Sequence, residues 1–170
     1  MALKDTTQRT IDEIETESEE IQSAVDKIIK PYCKELDDYV DRVNDCLINA
    51  DVSGVTDDEL EDFVLNLSTL IYYVSTGAEN MGIRDDMSRT LYKAAYNNAR
   101  SLITTGTVAD KNSLAEMQSY EEHLVNVIYN KAYKLLKSKS DSAQEILSSC
   151  KKIMSRRMKE MELSRTQINS

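Results

Sequence analysis

Residues 56–74 read TDDELEDFVLNLSTLIYYV. Thr56, Asp57, Asp58 and Glu59 open the stretch as a capping box. The threonine hydroxyl accepts a bond from the amide three residues on, and the glutamate there reaches back to the amide of the cap. Behind the box, Leu60, Phe63, Val64, Leu67, Leu70, Ile71 and Val74 recur at spacings of three and four, which is the period of one helix face. This is the most hydrophobic part of the chain, and we read it as the core helix. Gly77 and Gly82 are expected to loosen its end. A further helix is then expected from about Arg84 to Thr104, with Met87, Leu91, Ala94, Ala95, Asn98 and Leu102 on one side.

The same spacing extends toward the N-terminus. Ile11, Ile14, Ser18, Ile21, Val25 and Ile28 form a thin apolar seam over Thr6 to Lys30, and Asp12, Glu13, Glu15, Glu17, Glu19 and Glu20 crowd around it. A helix with so narrow a stripe is stable only against a partner. The seam stays in phase past Pro31 through Tyr32, Leu36, Tyr39, Val43 and Leu47. Proline removes a backbone donor and crowds the preceding turn, so a kink or break is expected there. Residues 1–50 thus read as an acidic, hairpin-like front ending in a turn at Asp51-Val52-Ser53-Gly54.

Toward the C-terminus, Thr104 to Thr107 read as a stop and restart. Residues 108–165 then form one long helix or a helix pair, with the break placed near Ser140, where Ser138 to Ser142 (SKSDS) interrupt the apolar pattern. Ser142-Ala143-Gln144-Glu145 offers a second capping box. The whole chain, 1–170, is read as one all-α domain. Its architecture is an antiparallel bundle of long helices, with residues 57–104 as the core. With 4 glycines and 1 proline among 170 residues, it lacks the turn formers of an all-β protein. The seams Ile11, Ile14, Ile21, Val25, Ile28 and Ile153, Met154, Met158, Met161 offer more apolar surface than a small core uses. They are therefore assigned to a homo-oligomer interface.

Little in the chain suggests catalysis. The single histidine, His123, stands beside two glutamates. Cys33, Cys46 and Cys150 form no CxxC, and no HExxH or GxSxG occurs. The four glycines are isolated, so no phosphate-cradling loop is formed. No catalytic residue, metal or cofactor is assigned. The odd, unpaired cysteines fit a reducing compartment. The start, Met1-Ala2-Leu3-Lys4-Asp5, lacks a signal peptide's apolar core, and no run reaches the roughly 20 apolar residues of a membrane span. A cytoplasmic protein with no membrane partner is expected.

Charge carries the clearest functional signal. Residues 1–65 hold 6 Lys/Arg against 19 Asp/Glu, a net of −13, whereas residues 130–170 hold 10 against 4, a net of +6. Either the basic tail meets a polyanion, or acidic and basic helices pack together. On the tail, Lys131, Lys134, Lys137 and Lys139 are interleaved with Tyr129 and Tyr133 at helical spacing. A second cluster holds Lys151, Lys152, Arg156, Arg157 and Lys159. Cations for phosphates beside rings for bases are the elements of a single-stranded nucleic-acid site.

Parts of the chain resemble a known family. They are Tyr92-Lys93-Ala94-Ala95-Tyr96, Gly106-Thr107-Val108-Ala109-Asp110-Lys111, the run from Tyr129 through Lys131, Tyr133 and Lys134 to Lys137, and Ser155-Arg156-Arg157. Together these resemble the bacteriophage UvsY-type recombination mediators over less than half the chain. The resemblance implies a small helical oligomer without enzyme activity. It implies binding of single-stranded DNA and help in loading a recombinase, with the recombinase or a single-strand-binding protein as partner, in the host cytoplasm. The long acidic first third departs from that pattern. It keeps open a protein-interaction module, such as a phage inhibitor of a host defence system, or an assembly scaffold.

Overall fold

The computed structural model describes residues 2–49 and 54–168, and these are all-α, with no strand among them. Helix α1 spans Ala2–Asn44 and ends in a π-helical turn, Asp45–Asn49. Helix α2 spans Asp57–Leu102, α3 Val108–Gln118 and α4 Tyr120–Ile168. The chain forms two compact units. Unit 1 holds residues 1–31 and 78–135, and unit 2 holds 32–77 and 136–170.

Unit 2 is built on large apolar side chains. Leu36, Val43, Leu60, Phe63, Leu67, Val74, Leu136 and Cys150 are almost wholly withdrawn from solvent. Its contacts pair rising with falling residue numbers, so neighbouring helices run antiparallel. Along α1 and α2, Tyr32 meets Gly77 and Tyr39 meets Phe63. Along α2 and α4, Asp57 meets Arg157 and Ser75 meets Ser140. The Thr56 box forms as expected. Its backbone N–H donates to Glu59 Oε2 at 2.8 Å, and the Glu59 amide donates to Thr56 Oγ1 at 3.2 Å.

Unit 1 has a different interior. Its buried apolar residues are Val25, Ile29, Met81 and four alanines, Ala78, Ala99, Ala115 and Ala132. A polar network lies beside them. The carboxylate of Asp85, 4% exposed, accepts from Arg89 at 2.8 Å, from Asn126 at 3.1 Å and from Asn130 at 3.1 Å. Asn126 also donates to Ser88 Oγ at 3.1 Å. A buried carboxylate is costly unless its oxygens are bonded, and here both are, which fixes the register of α2 against α4.

Three expected boundaries differ from the structure. Pro31 does not break α1, which continues as one helix, so the front is not a hairpin. The buried stripe steps by one residue there, from the expected Ile28 and Tyr32 to Ile29 and Cys33. Gly77 and Gly82 do not end α2, which runs through both, and Gly77 serves close packing. A Cβ at Gly77 would stand 2.6 Å from Tyr32 Cδ1, and one at Gly82 3.4 Å from Tyr133 Cε2. The break in the last segment falls at Ser119, not near Ser140. Ser140 is buried and shares a 2.9 Å hydrogen bond with Ser75, so it packs inside unit 2, while α4 runs on through Ser142 without a new start. The restart at Thr107 is a full capping box with Asp110, after Gly106 at φ 99°. The turn expected at Asp51 to Gly54 lies, except for Gly54, outside the described residues.

Candidate functional site

The residues assigned to nucleic acid divide between the two units. Tyr129, Lys131, Tyr133 and Lys134 belong to unit 1; Lys137, Lys139 and the second cluster belong to unit 2. In unit 1, Lys131 and Lys134 are exposed, while Tyr129 and Tyr133 are half-buried. The Tyr133 ring lies over the bare backbone of Gly82. That contact puts part of the ring on the seam between α2 and α4 within unit 1.

In unit 2, Lys137 is exposed, but Lys139 is committed to the fold. Its ammonium donates to both oxygens of Asp37, at 2.7 and 2.8 Å. Arg157 donates to Asp57 at 2.7 Å, with its side chain 23% exposed. Both cations hold α4 to the acidic helices, the packing alternative that the charge asymmetry left open. Sequence spacing found the cations but not Asp37 and Asp57, because these partners lie about a hundred residues away.

A compact basic surface remains farther along α4. Lys151, Lys152, Ser155, Arg156 and Lys159 line one open depression with Glu160. All are exposed. They stand at spacings of one, four and five on a single helix, so their heads converge on one strip of surface. Arg156 pairs with Glu160 at 2.9 Å and stays 82% exposed. An exposed pair of this kind is weak and exchanges readily for a phosphate. The lysines there form no salt bridge among the described residues. The strip can hold anions, and its hydroxyl, Ser155, donates to the Lys151 carbonyl within the helix at 2.9 Å.

On α1, every residue from Thr7 to Glu20 is exposed, so Asp12, Glu13, Glu15, Glu17, Glu19 and Glu20 form an acidic surface. Glu17 receives a long bond from Tyr120 at 3.4 Å. Of the residues assigned to the oligomer seams, Ile11, Ile14, Met158 and Met161 are exposed, at 42%, 59%, 60% and 47%. Ile21, Ile28, Ile153 and Met154 are half-buried, and Val25 lies in the core of unit 1.

His123 packs against Tyr92 at 4.9 Å between ring centroids. The three cysteines are outside any disulfide. Burial, and then the neighbouring Asp37, push the Cys33 thiol above its ordinary pKa, and burial does the same for Cys150. Thiols held in that form are poor nucleophiles. Among the described residues no group of three or more His, Cys, Asp or Glu is placed to hold a metal ion. No helix among them is long and apolar enough to cross a membrane. Comparison with protein-family models, curated proteins and solved structures gave no match for this chain.

Proposed function

We propose that this chain is a non-enzymatic, homo-oligomeric accessory protein that binds single-stranded DNA along the basic strip of α4 in unit 2. The supporting observation is the group Lys151, Lys152, Arg156 and Lys159, exposed on one strip of a protein whose net charge is −9. Cations kept together against that overall balance serve an anionic ligand, and a flexible phosphate chain can follow a helix surface. One such strip binds weakly. Several copies side by side bind by avidity, and the exposed Met158 and Met161 beside the strip provide apolar surface for assembly. Assistance in loading a recombinase is the role that the UvsY-type resemblance implies for such an oligomer.

The acidic surface of α1 favours a second reading, a module that docks a basic protein surface through residues 7–20. Titration of a labelled single-stranded oligonucleotide at low and at moderate salt separates the two. Binding that weakens steeply with salt supports the first reading, and no binding at low salt removes it.

A further inference from the structure

One stripe along the outward face of α2 in unit 1 is free of charge. Charged residues make up 30% of the chain, yet Asn80, Ile83, Met87, Thr90, Ala94 and Asn97 carry none. All six are exposed, and their spacing alternates three and four, the signature of a helix seam. Ile83, Met87 and the flanking Leu91 are 60%, 62% and 61% exposed. Unit 1 thus keeps these large apolar side chains outside, while four of its seven buried apolar residues are alanine.

Beside this seam runs a row of charges exactly one heptad apart: Glu79, Asp86, Lys93 and Arg100, all exposed. Its signs read minus, minus, plus, plus. The Asp86 carboxylate is paired only loosely, with Arg89 at 3.7 Å, and that guanidinium is bonded more closely to Asp85 at 2.8 Å. In an antiparallel helix pair the same flank of each helix meets its own copy. If the two copies cross between Asp86 and Lys93, Asp86 faces Lys93 and Glu79 faces Arg100, each twice. The same register sets Ile83 against Ala94 and Met87 against Thr90, large against small, and Asn80 against Asn97. A parallel pairing brings this row against the other flank, where Arg84 is matched to Glu79 but Leu91 and Asn98 meet Asp86 and Lys93 without a charge.

We infer that a second copy of this chain docks on this face, α2 against α2, antiparallel, with the charge row setting the register. The inference does not depend on the nucleic-acid reading, and it adds an interface distinct from the seams of α1 and α4. The test is solution mass over a concentration series for three forms of the full chain. The parent is expected to dimerise or to assemble further. Glu79→Lys with Asp86→Lys makes the row uniformly positive and should weaken this association about tenfold or more, since four pairings turn from attraction to repulsion. Adding Lys93→Glu and Arg100→Glu reverses the whole row and restores self-complementarity, so association should return. These exposed substitutions leave the buried core untouched, and helix content by circular dichroism checks the fold of each form. A monomeric parent overturns the inference. So does a half-reversed form that associates as strongly as the parent, or a fully reversed form that fails to recover.

Discussion

Replacing Gly77 with Ala should destabilise unit 2, although alanine is the better helix former. In an exposed helix interior the exchange stabilises by about 1 kcal/mol. Here the new methyl would stand 2.6 Å from Cδ1, 3.0 Å from Cγ and 3.2 Å from Cβ of Tyr32. These ring-base atoms sit close to the backbone and give way only if α1 moves. Overpacking of this kind costs about 1–3 kcal/mol, so the net change is a loss of up to about 2 kcal/mol. Gly82 is the control on the same helix. Its added methyl meets Tyr133 at 3.4 Å, an ordinary contact, so Gly82→Ala should gain up to about 1 kcal/mol. The assay is urea unfolding followed by circular dichroism. Amide exchange along α2 then reads each glycine within its own unit. For a chain of this size 1 kcal/mol moves Tm by about 2–4 °C, so the two variants should part in opposite directions. Equal stabilisation by both would refute the view that Gly77 is kept for close approach to Tyr32.

Two further outcomes follow from the caps and the thiols. Hydrogen bonds from Thr56 and Thr107 hold the carboxyls of Glu59 and Asp110 below the usual carboxylate range. Such groups contribute stability that is present above their unfolded pKa and lost as pH falls through the folded one. Unfolding titrations should therefore show an acid decline below about pH 5 that is shallower in Thr56→Ala/Thr107→Ala, and an unchanged pH profile in that variant would count against the caps. A thiol reagent on the native protein should label half-buried Cys46 first. Buried Cys33 and Cys150 should react only as the chain opens, and fast labelling of all three would contradict the packing of unit 2.

Helix type was legible wherever apolar residues kept the three-four spacing, as from Leu60 to Val74. Breaks were not. Gly77, Pro31 and the SKSDS run look like punctuation in one dimension. Their use depends on what lies across the seam: Tyr32 over Gly77, Ser75 beside Ser140, and the stripe on α1 that steps from Ile28 to Ile29. The Thr107 box was present in the sequence as a threonine three residues before Asp110, but the aspartate in place of Glu or Gln hid it. For the site, spacing found every lysine. It could not separate Lys139, committed to Asp37, from exposed Lys151 and Lys152, because commitment is decided by a residue distant in sequence. The Asp85 network was equally hidden, since Asn126 and Asn130 look like surface residues until Asp85 is placed between them.

The most direct test of the proposed binding surface is the salt dependence of affinity for single-stranded oligonucleotide, measured for the parent chain and for Lys151→Ala/Lys152→Ala/Lys159→Ala. Three phosphate contacts at about 0.7 each predict a log–log salt slope shallower by roughly 2 per protomer in the variant. Affinity at low salt should fall with it, and melting should be unchanged because these side chains are exposed. Equal affinity and equal slope in the two proteins, with the fold intact, would contradict the assignment of the α4 strip to DNA.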